Sequence, residues 1–338
     1  MKALRFGGVG RFGLEELPMP VPGAGEVRVR PAAAGVCGTD AHILDGSFHC
    51  VPPVVLGHEI AGFVDAVGSG VLDIREGDLV TVEPHRFCGL CRYCRTGREH
   101  LCLRKEAWGV HIDGGMAEAV VVTEKVAYRL PDGTDPRIGA LTEPLACCVH
   151  AMDRLEPRPG LSLAIFGAGP AGLIMLTLAL RTGLRPIVAL EPDPRRRETA
   201  LAFGADAAID PFAPDWREQA LAVAHADGFD FVLEAVGSPR VLEQGISIAA
   251  RGARIQVFGV ANPGETATIR PEEIFAKELT ILGTVINPYT HHRAVELLPT
   301  LGLERLGILT FPLEQHEEAF RAQHERRAGK VQFAPQQT

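Results

Sequence analysis

The chain has 338 residues, 46% of them hydrophobic, and a formal net charge of -8. That length supports two domains with cores of their own. The acidic balance argues against a nucleic-acid surface as the main activity, and no run of 18 apolar residues is present to span a membrane. The opening Met-Lys-Ala-Leu-Arg-Phe-Gly-Gly lacks the apolar core of a signal peptide, which predicts a cytoplasmic protein whose thiols stay reduced and free for metal.

Residues 1–150 read as a β-rich domain. Short apolar runs at 26–30, 60–67, 78–83 and 117–122 lie between glycine and proline punctuation. Near Gly160 the pattern changes: a strand over 161–166, a helix over 171–181, a strand over 186–190 and a helix over 195–203. Strands over 229–234, 254–258 and 279–282 follow. Such alternation predicts a parallel α/β sheet with crossover helices over 151–287. A helix near 315–326 and a strand near 331–333 then predict that 288–338 returns to the first domain.

Within 84–105 four cysteines fall in fifteen residues: Cys88, Cys91, Cys94 and Cys102. Two-residue gaps let successive thiolates face one centre, and the longer last gap lets the chain close a tetrahedron. Four thiolates and no other ligand suit structural zinc. Disulfides, free thiols and an iron–sulfur cluster are the competing readings.

Gly167-Ala168-Gly169-Pro170-Ala171-Gly172 follows the strand over 161–166 and opens a helical run. In that context Gly-x-Gly-x-x-Gly predicts a dinucleotide site: Gly167 for the tight turn, Gly169 for backbone approach to a pyrophosphate, Gly172 for close helix–strand packing. The helix that opens at Pro170 and Ala171 offers the free N–H groups that follow the proline to the phosphates. Glu191, nineteen residues after Gly172, is placed to accept from both ribose hydroxyls of NAD and to repel the 2′-phosphate of NADP. Among Arg195, Arg196 and Arg197, Arg196 is expected over the adenosine end.

A second metal constellation comprises Cys37 in Cys-Gly-Thr-Asp, His58 and Glu59 in Gly-His-Glu, and Glu143 in Glu-Pro-Leu-Ala. A thiolate, an imidazole and a carboxylate meet the need of a catalytic zinc for about three protein ligands and one open position.

Taken together, the four-cysteine lobe, Cys-Gly-Thr-Asp, Gly-His-Glu and the glycine fingerprint resemble, in order and spacing, the zinc-dependent medium-chain dehydrogenases, essentially end to end. The resemblance implies a catalytic domain with a GroES-like β-barrel core, a Rossmann domain and a cleft between them. It further implies two zinc ions per chain, NAD, and a homo-oligomer, tetramer or dimer. Glu143, at the place of a third cysteine ligand in the alcohol-dehydrogenase branch, resembles the sorbitol (polyol) and threonine branches. By that likeness Cys37, His58 and Glu59 correspond to zinc ligands, and Glu143 binds zinc directly or through its water. Thr39 would take the substrate proton and His42 would relay it to solvent.

The implied activity is reversible oxidation of a secondary alcohol of a polyol or sugar derivative, with hydride passing to NAD. An L-threonine 3-dehydrogenase or a general secondary-alcohol or vicinal-diol dehydrogenase is the alternative. A non-enzymatic zinc module, or a zinc-free NADPH-dependent reductase of the superfamily, fits the two donor sets less well. Ile286 stands near the place of an arginine that holds substrate hydroxyls in the polyol enzymes. Asn287, Phe48 and Trp108 are candidate pocket residues. Cys50, Cys147 and Cys148 read as buried packing residues, and His85, His111, His291 and His292 as structural or exposed.

Overall fold

The computed structural model describes residues 1–225 and 227–336. It separates into two compact units: Met1–Ala146 together with the chain from Asn287 onward, and Cys147–Ile286.

The first unit is β-rich. Its largest sheet runs, in spatial order, Ala127–Arg129, Leu79–Val82, Glu59–Val67, Glu26–Gly35, Lys330–Phe333 and Ile308–Phe311, with Val120–Thr123 also paired to Glu26–Gly35. The two long central strands alternate inward Val27, Val29, Ile60 and Val64, as a half-buried antiparallel pair requires. Lys330–Phe333 joins antiparallel, with Gln332 opposite Gly35 and Phe333 opposite Ala34. The chain after residue 287 thus supplies a strand beside the one that leads into Cys37. An N-terminal hairpin, Lys2–Gly8 with Arg11–Glu16, forms a smaller sheet with Val54–Val55.

In the second unit six parallel strands lie in the order Ala207–Ile209, Ile187–Leu190, Leu163–Phe166, Phe229–Glu234, Ala249–Val257 and Thr280–Gly283. Numbered along the chain this is 3-2-1-4-5-6, the doubly wound dinucleotide-binding order. The three adjoining strands Ile187–Leu190, Leu163–Phe166 and Phe229–Glu234 are buried almost throughout, because helices cover both faces of such a sheet. Proline opens the helices Pro170–Arg181, Pro194–Phe203, Pro239–Ser247 and Pro271–Lys277. Its fixed φ suits the first helical position, and its missing N–H costs nothing there.

Candidate functional site

Cys37 caps the helix Gly38–Asp45, and Asp40 closes the cap: its Oδ2 accepts from the Cys37 backbone N–H at 2.8 Å. Asp40 is fully buried, and its Oδ1 stands 3.6 Å from Nδ1 of His58. One buried carboxylate therefore fixes the Cys37 backbone and faces the His58 ring, as a carboxylate beside a metal-binding histidine does. His58 directly precedes the strand Glu59–Val67, whose pairing with Gly35 fixes Glu59 against Glu26–Gly35. Ligand atoms of Cys37, His58 and Glu59 lie within 4.8 Å of one another.

Lys330, a residue with no motif to announce it, completes this cluster. Its Nζ lies 2.6 Å from Oε1 and 2.5 Å from Oε2 of Glu59, and both side chains are buried. Burial opposes the ammonium, but Glu59, Cys37 and Glu143 outweigh it and hold the Lys330 pKa above its usual value. Gly35 is needed for the same contact, since a Cβ there would come within 1.8 Å of Glu59 Oε2. Glu143 is buried in the first turn of Thr142–Leu155 and stands outside the 4.8 Å group.

The donor set fits a zinc ion. At His58 burial works against the imidazolium, yet Cys37 and Asp40 raise its pKa well above normal, so this spot favours a cation.

In the cysteine lobe all four sulfurs lie within 4.8 Å of one another. Cys91 and Cys94 are 3.6 Å apart, Cys88 and Cys94 3.9 Å. Four thiolates at the usual zinc–sulfur length stand about 3.8 Å apart at tetrahedral corners. Backbone N–H groups of Leu90 and Cys91 donate to Cys88 Sγ, and those of Cys88 and Arg104 to Cys102 Sγ. The first pair pulls the Cys88 thiol down to about 6, while desolvation and the neighbouring sulfurs push Cys94 up to about 12. A divalent cation resolves that conflict. All eight cysteines are unbridged.

In the second unit Gly167 has φ 97, and a Cβ on Gly172 would come within 1.9 Å of the Gly167 carbonyl; both positions demand glycine. Glu191 Oε2 accepts from Ala168 N at 2.8 Å and Oε1 from Asp193 N at 3.1 Å, so the carboxylate is fastened to the glycine turn. Arg196 reaches over that turn, its Nη1 3.8 Å from where a Gly169 Cβ would sit. Arg197 instead donates to the carbonyls of Glu191 and Pro192, while Arg195 is largely exposed.

The expectations for Trp108, Cys50 and Cys147 need correction, and the other residues are placed as follows. Trp108 is a core residue at 3% exposure; it packs with Val80 and Val120, and its indole N–H donates to Val121 O. Cys50 and Cys147 are half-buried, unlike Cys148, whose thiol meets the Ala171 carbonyl. His85 and His291 are buried and held neutral, each with its pKa lowered to about 3 by desolvation. Asn287 is fully buried beside His291, while Phe48 is exposed. Ile286 has φ 48, an uncommon conformation for a β-branched residue.

Two family models match the chain: the alcohol dehydrogenase GroES-like domain over residues 23–132 and the zinc-binding dehydrogenase domain over 170–300. L-threonine 3-dehydrogenase of Pyrococcus abyssi is 35% identical over 329 residues, covering 95% of this chain and 94% of that one. Sorbitol dehydrogenase of Halalkalibacterium halodurans is 32% identical over 334 residues, covering 97% of each. Among solved structures, a zinc-binding dehydrogenase from Sinorhizobium meliloti bound to NADP superposes with a TM-score of 0.93 at 36% identity, over 99% of both chains. With its GroES-like and Rossmann units and its two donor sets, the chain belongs to the zinc-dependent medium-chain dehydrogenases, in the threonine and sorbitol dehydrogenase-like branch, as a zinc-type alcohol dehydrogenase.

Proposed function

We propose that the protein oxidises a secondary alcohol bearing a neighbouring polar group, as in a polyol or sugar derivative, to the ketone with NAD. The observation that carries this reading is a buried polar cluster beside the donor set. His85 lies close enough to His58 for their charges to oppose each other, Asn287 hydrogen-bonds to its ring, and both side chains are buried. A polar, hydrogen-bonding lining of this kind suits a substrate with a second polar group better than an alkyl chain.

Cys37, His58 and Glu59 would hold the catalytic zinc, with Glu143 acting on its water; Cys88, Cys91, Cys94 and Cys102 would hold the structural one. When bound, zinc supplies a Lewis acid that lowers the pKa of a substrate hydroxyl, and NAD supplies the hydride acceptor. Thr39, whose Oγ1 lies 3.7 Å from Cys37 Sγ, receives the hydroxyl proton, and His42 passes it to water. Gly167, Gly169, Pro170, Ala171 and Gly172 cradle the pyrophosphate. Glu191 accepts from the ribose, and Arg196 covers the adenosine end. The functional boundaries we assign are 1–150, 151–287 and 288–338. Eight unbridged cysteines favour a reducing, cytoplasmic setting.

The test is NAD reduction with matched vicinal diols, mono-alcohols and L-threonine. A higher kcat/KM for diols is expected, and a clear preference for unfunctionalised alkanols would overturn the reading. The likeness to the Pyrococcus abyssi enzyme favours a second reading, L-threonine oxidation, in which the neighbouring polar group is an amine; robust turnover of L-threonine would select it.

A further inference from the structure

His42 lies in the last turn of Gly38–Asp45 and is held by two residues that no motif singles out. Its Nδ1 is 2.9 Å from Ser47 Oγ and 3.9 Å from Asp45 Oδ2. Ser47 is itself fixed: its N–H donates to Asp45 Oδ1 at 2.8 Å, and its hydroxyl lies 3.4 Å from the His42 carbonyl oxygen. The hydroxyl and the N–H of Ser47 together lower the Asp45 pKa. The His42 carbonyl oxygen and the Asp45 carboxylate can both accept the Ser47 hydroxyl proton, which leaves Ser47 Oγ to accept from the imidazole. The Asp45 carboxylate also favours a proton on the nearer ring nitrogen. Both effects point to one tautomer of His42, with Nδ1–H donating to Ser47 Oγ and the Nε2 lone pair left free.

We propose that Ser47 and Asp45 are positioning residues that lock His42 in the Nδ1–H tautomer, leaving Nε2 as the proton acceptor for alcohol oxidation. The inference rests on the relay assigned to His42 above. In the forward direction the proton released by the substrate hydroxyl arrives at Nε2, and Nδ1–H keeps its bond to Ser47. The imidazolium lies beside the Asp45 carboxylate and then gives one proton from Nε2 to water. A histidine free to change tautomer would present N–H to the incoming proton for part of the time, and that fraction is inactive.

The test compares zinc-loaded wild type with Ser47→Ala, Ser47→Thr and His42→Ala. In ¹⁵N-histidine spectra the His42 signals, assigned by their absence in His42→Ala, should show a protonated Nδ1 in wild type and Ser47→Thr, and a tautomer mixture in Ser47→Ala. Steady-state alcohol oxidation in dilute buffer should fall about threefold to tenfold in kcat for Ser47→Ala, less than the full contribution of a general base. High concentrations of a small buffer base should restore it, KM should stay unchanged, and Ser47→Thr should behave as wild type. If His42→Ala shows no buffer-dependent loss, the relay assigned to His42 is wrong. If His42→Ala shows that loss but Ser47→Ala keeps both the wild-type tautomer and wild-type kcat, the relay stands and the positioning role of Ser47 is overturned.

Discussion

Replacing Lys330 by methionine should destabilise the β unit far more than a surface change of the same kind. Lys330 Nζ sits within 2.6 Å of both oxygens of Glu59, and the two side chains are 5% and 1% exposed. Methionine preserves the length of the side chain and removes the charge, so the buried Glu59 carboxyl loses its ammonium partner. Breaking one side of a buried pair costs about 3–5 kcal/mol. At the usual unfolding entropy per residue, a unit of about 200 residues loses about 7–12 °C in Tm for that change. The assay is differential scanning calorimetry on chelator-treated protein, so that metal cannot substitute for the ammonium. Replacing both partners, Lys330→Met with Glu59→Leu, should recover much of the loss, because two apolar side chains leave no orphaned charge. A fall under about 2 °C for Lys330→Met alone would show that Glu59 is not held as a buried carboxylate, and the argument from the ion pair would fail.

Cys94→Ser should lower zinc content from two ions per chain to one by atomic absorption and reduce Tm, while NAD binding measured by fluorescence is retained. Acid should destabilise the fold through its buried histidines: the folded pKa of His291 is about 3, so its contribution is complete above the unfolded value near 6.5 and is lost as pH falls towards 3. At pH 5 the loss is about 2 kcal/mol, and His291→Gln should flatten the urea-measured stability profile between pH 7 and 5 by that amount; an unchanged profile would contradict a neutral buried ring. NAD should be preferred over NADP by at least about tenfold, or 1.4 kcal/mol. Glu191→Ser should relax this preference and, by freeing the Ala168 and Asp193 N–H groups, weaken binding of both coenzymes; equal kcat/KM for the two in wild type would refute the role of Glu191.

Sequence patterns that lie close together in the chain were the readable ones. The strand at Phe229–Glu234 and the helices Pro170–Arg181 and Pro194–Phe203 follow from the alternation of apolar runs. The four-cysteine lobe announces itself by spacing alone. Contacts between residues far apart in the chain were hidden. Lys330 looks like any surface lysine until the pairing of Gln332 with Gly35 carries it to Glu59. Asp40 was visible only as a letter of Cys-Gly-Thr-Asp; its grip on both Cys37 and His58 requires two elements to meet. Trp108 misled because a large aromatic near a metal motif resembles a pocket wall, whereas its neighbours Val80, Val120 and Val122 make it core. The helices Trp216–Val223 and Pro239–Ser247 escaped because short helices carry too few turns for a periodic signal.

The strand Lys330–Phe333 has a consequence for the order of events during synthesis. The α/β unit is continuous from Cys147 to Ile286, so a ribosome delivers all its strands in one stretch, and it has what it needs to fold as soon as it emerges. The β unit does not: its first 146 residues must wait while that whole stretch is translated before Lys330 can reach Glu59, a partner 271 positions earlier. Until then the strand holding Glu26–Gly35 has an open edge at Ala34 and Gly35, and Glu59 lacks its counter-ion. Long-range pairing of this kind is slow and leaves sticky edges exposed in the meantime. A codon change that delays residues 287–333 therefore raises the yield of aggregated chain without altering a single side chain of the finished enzyme.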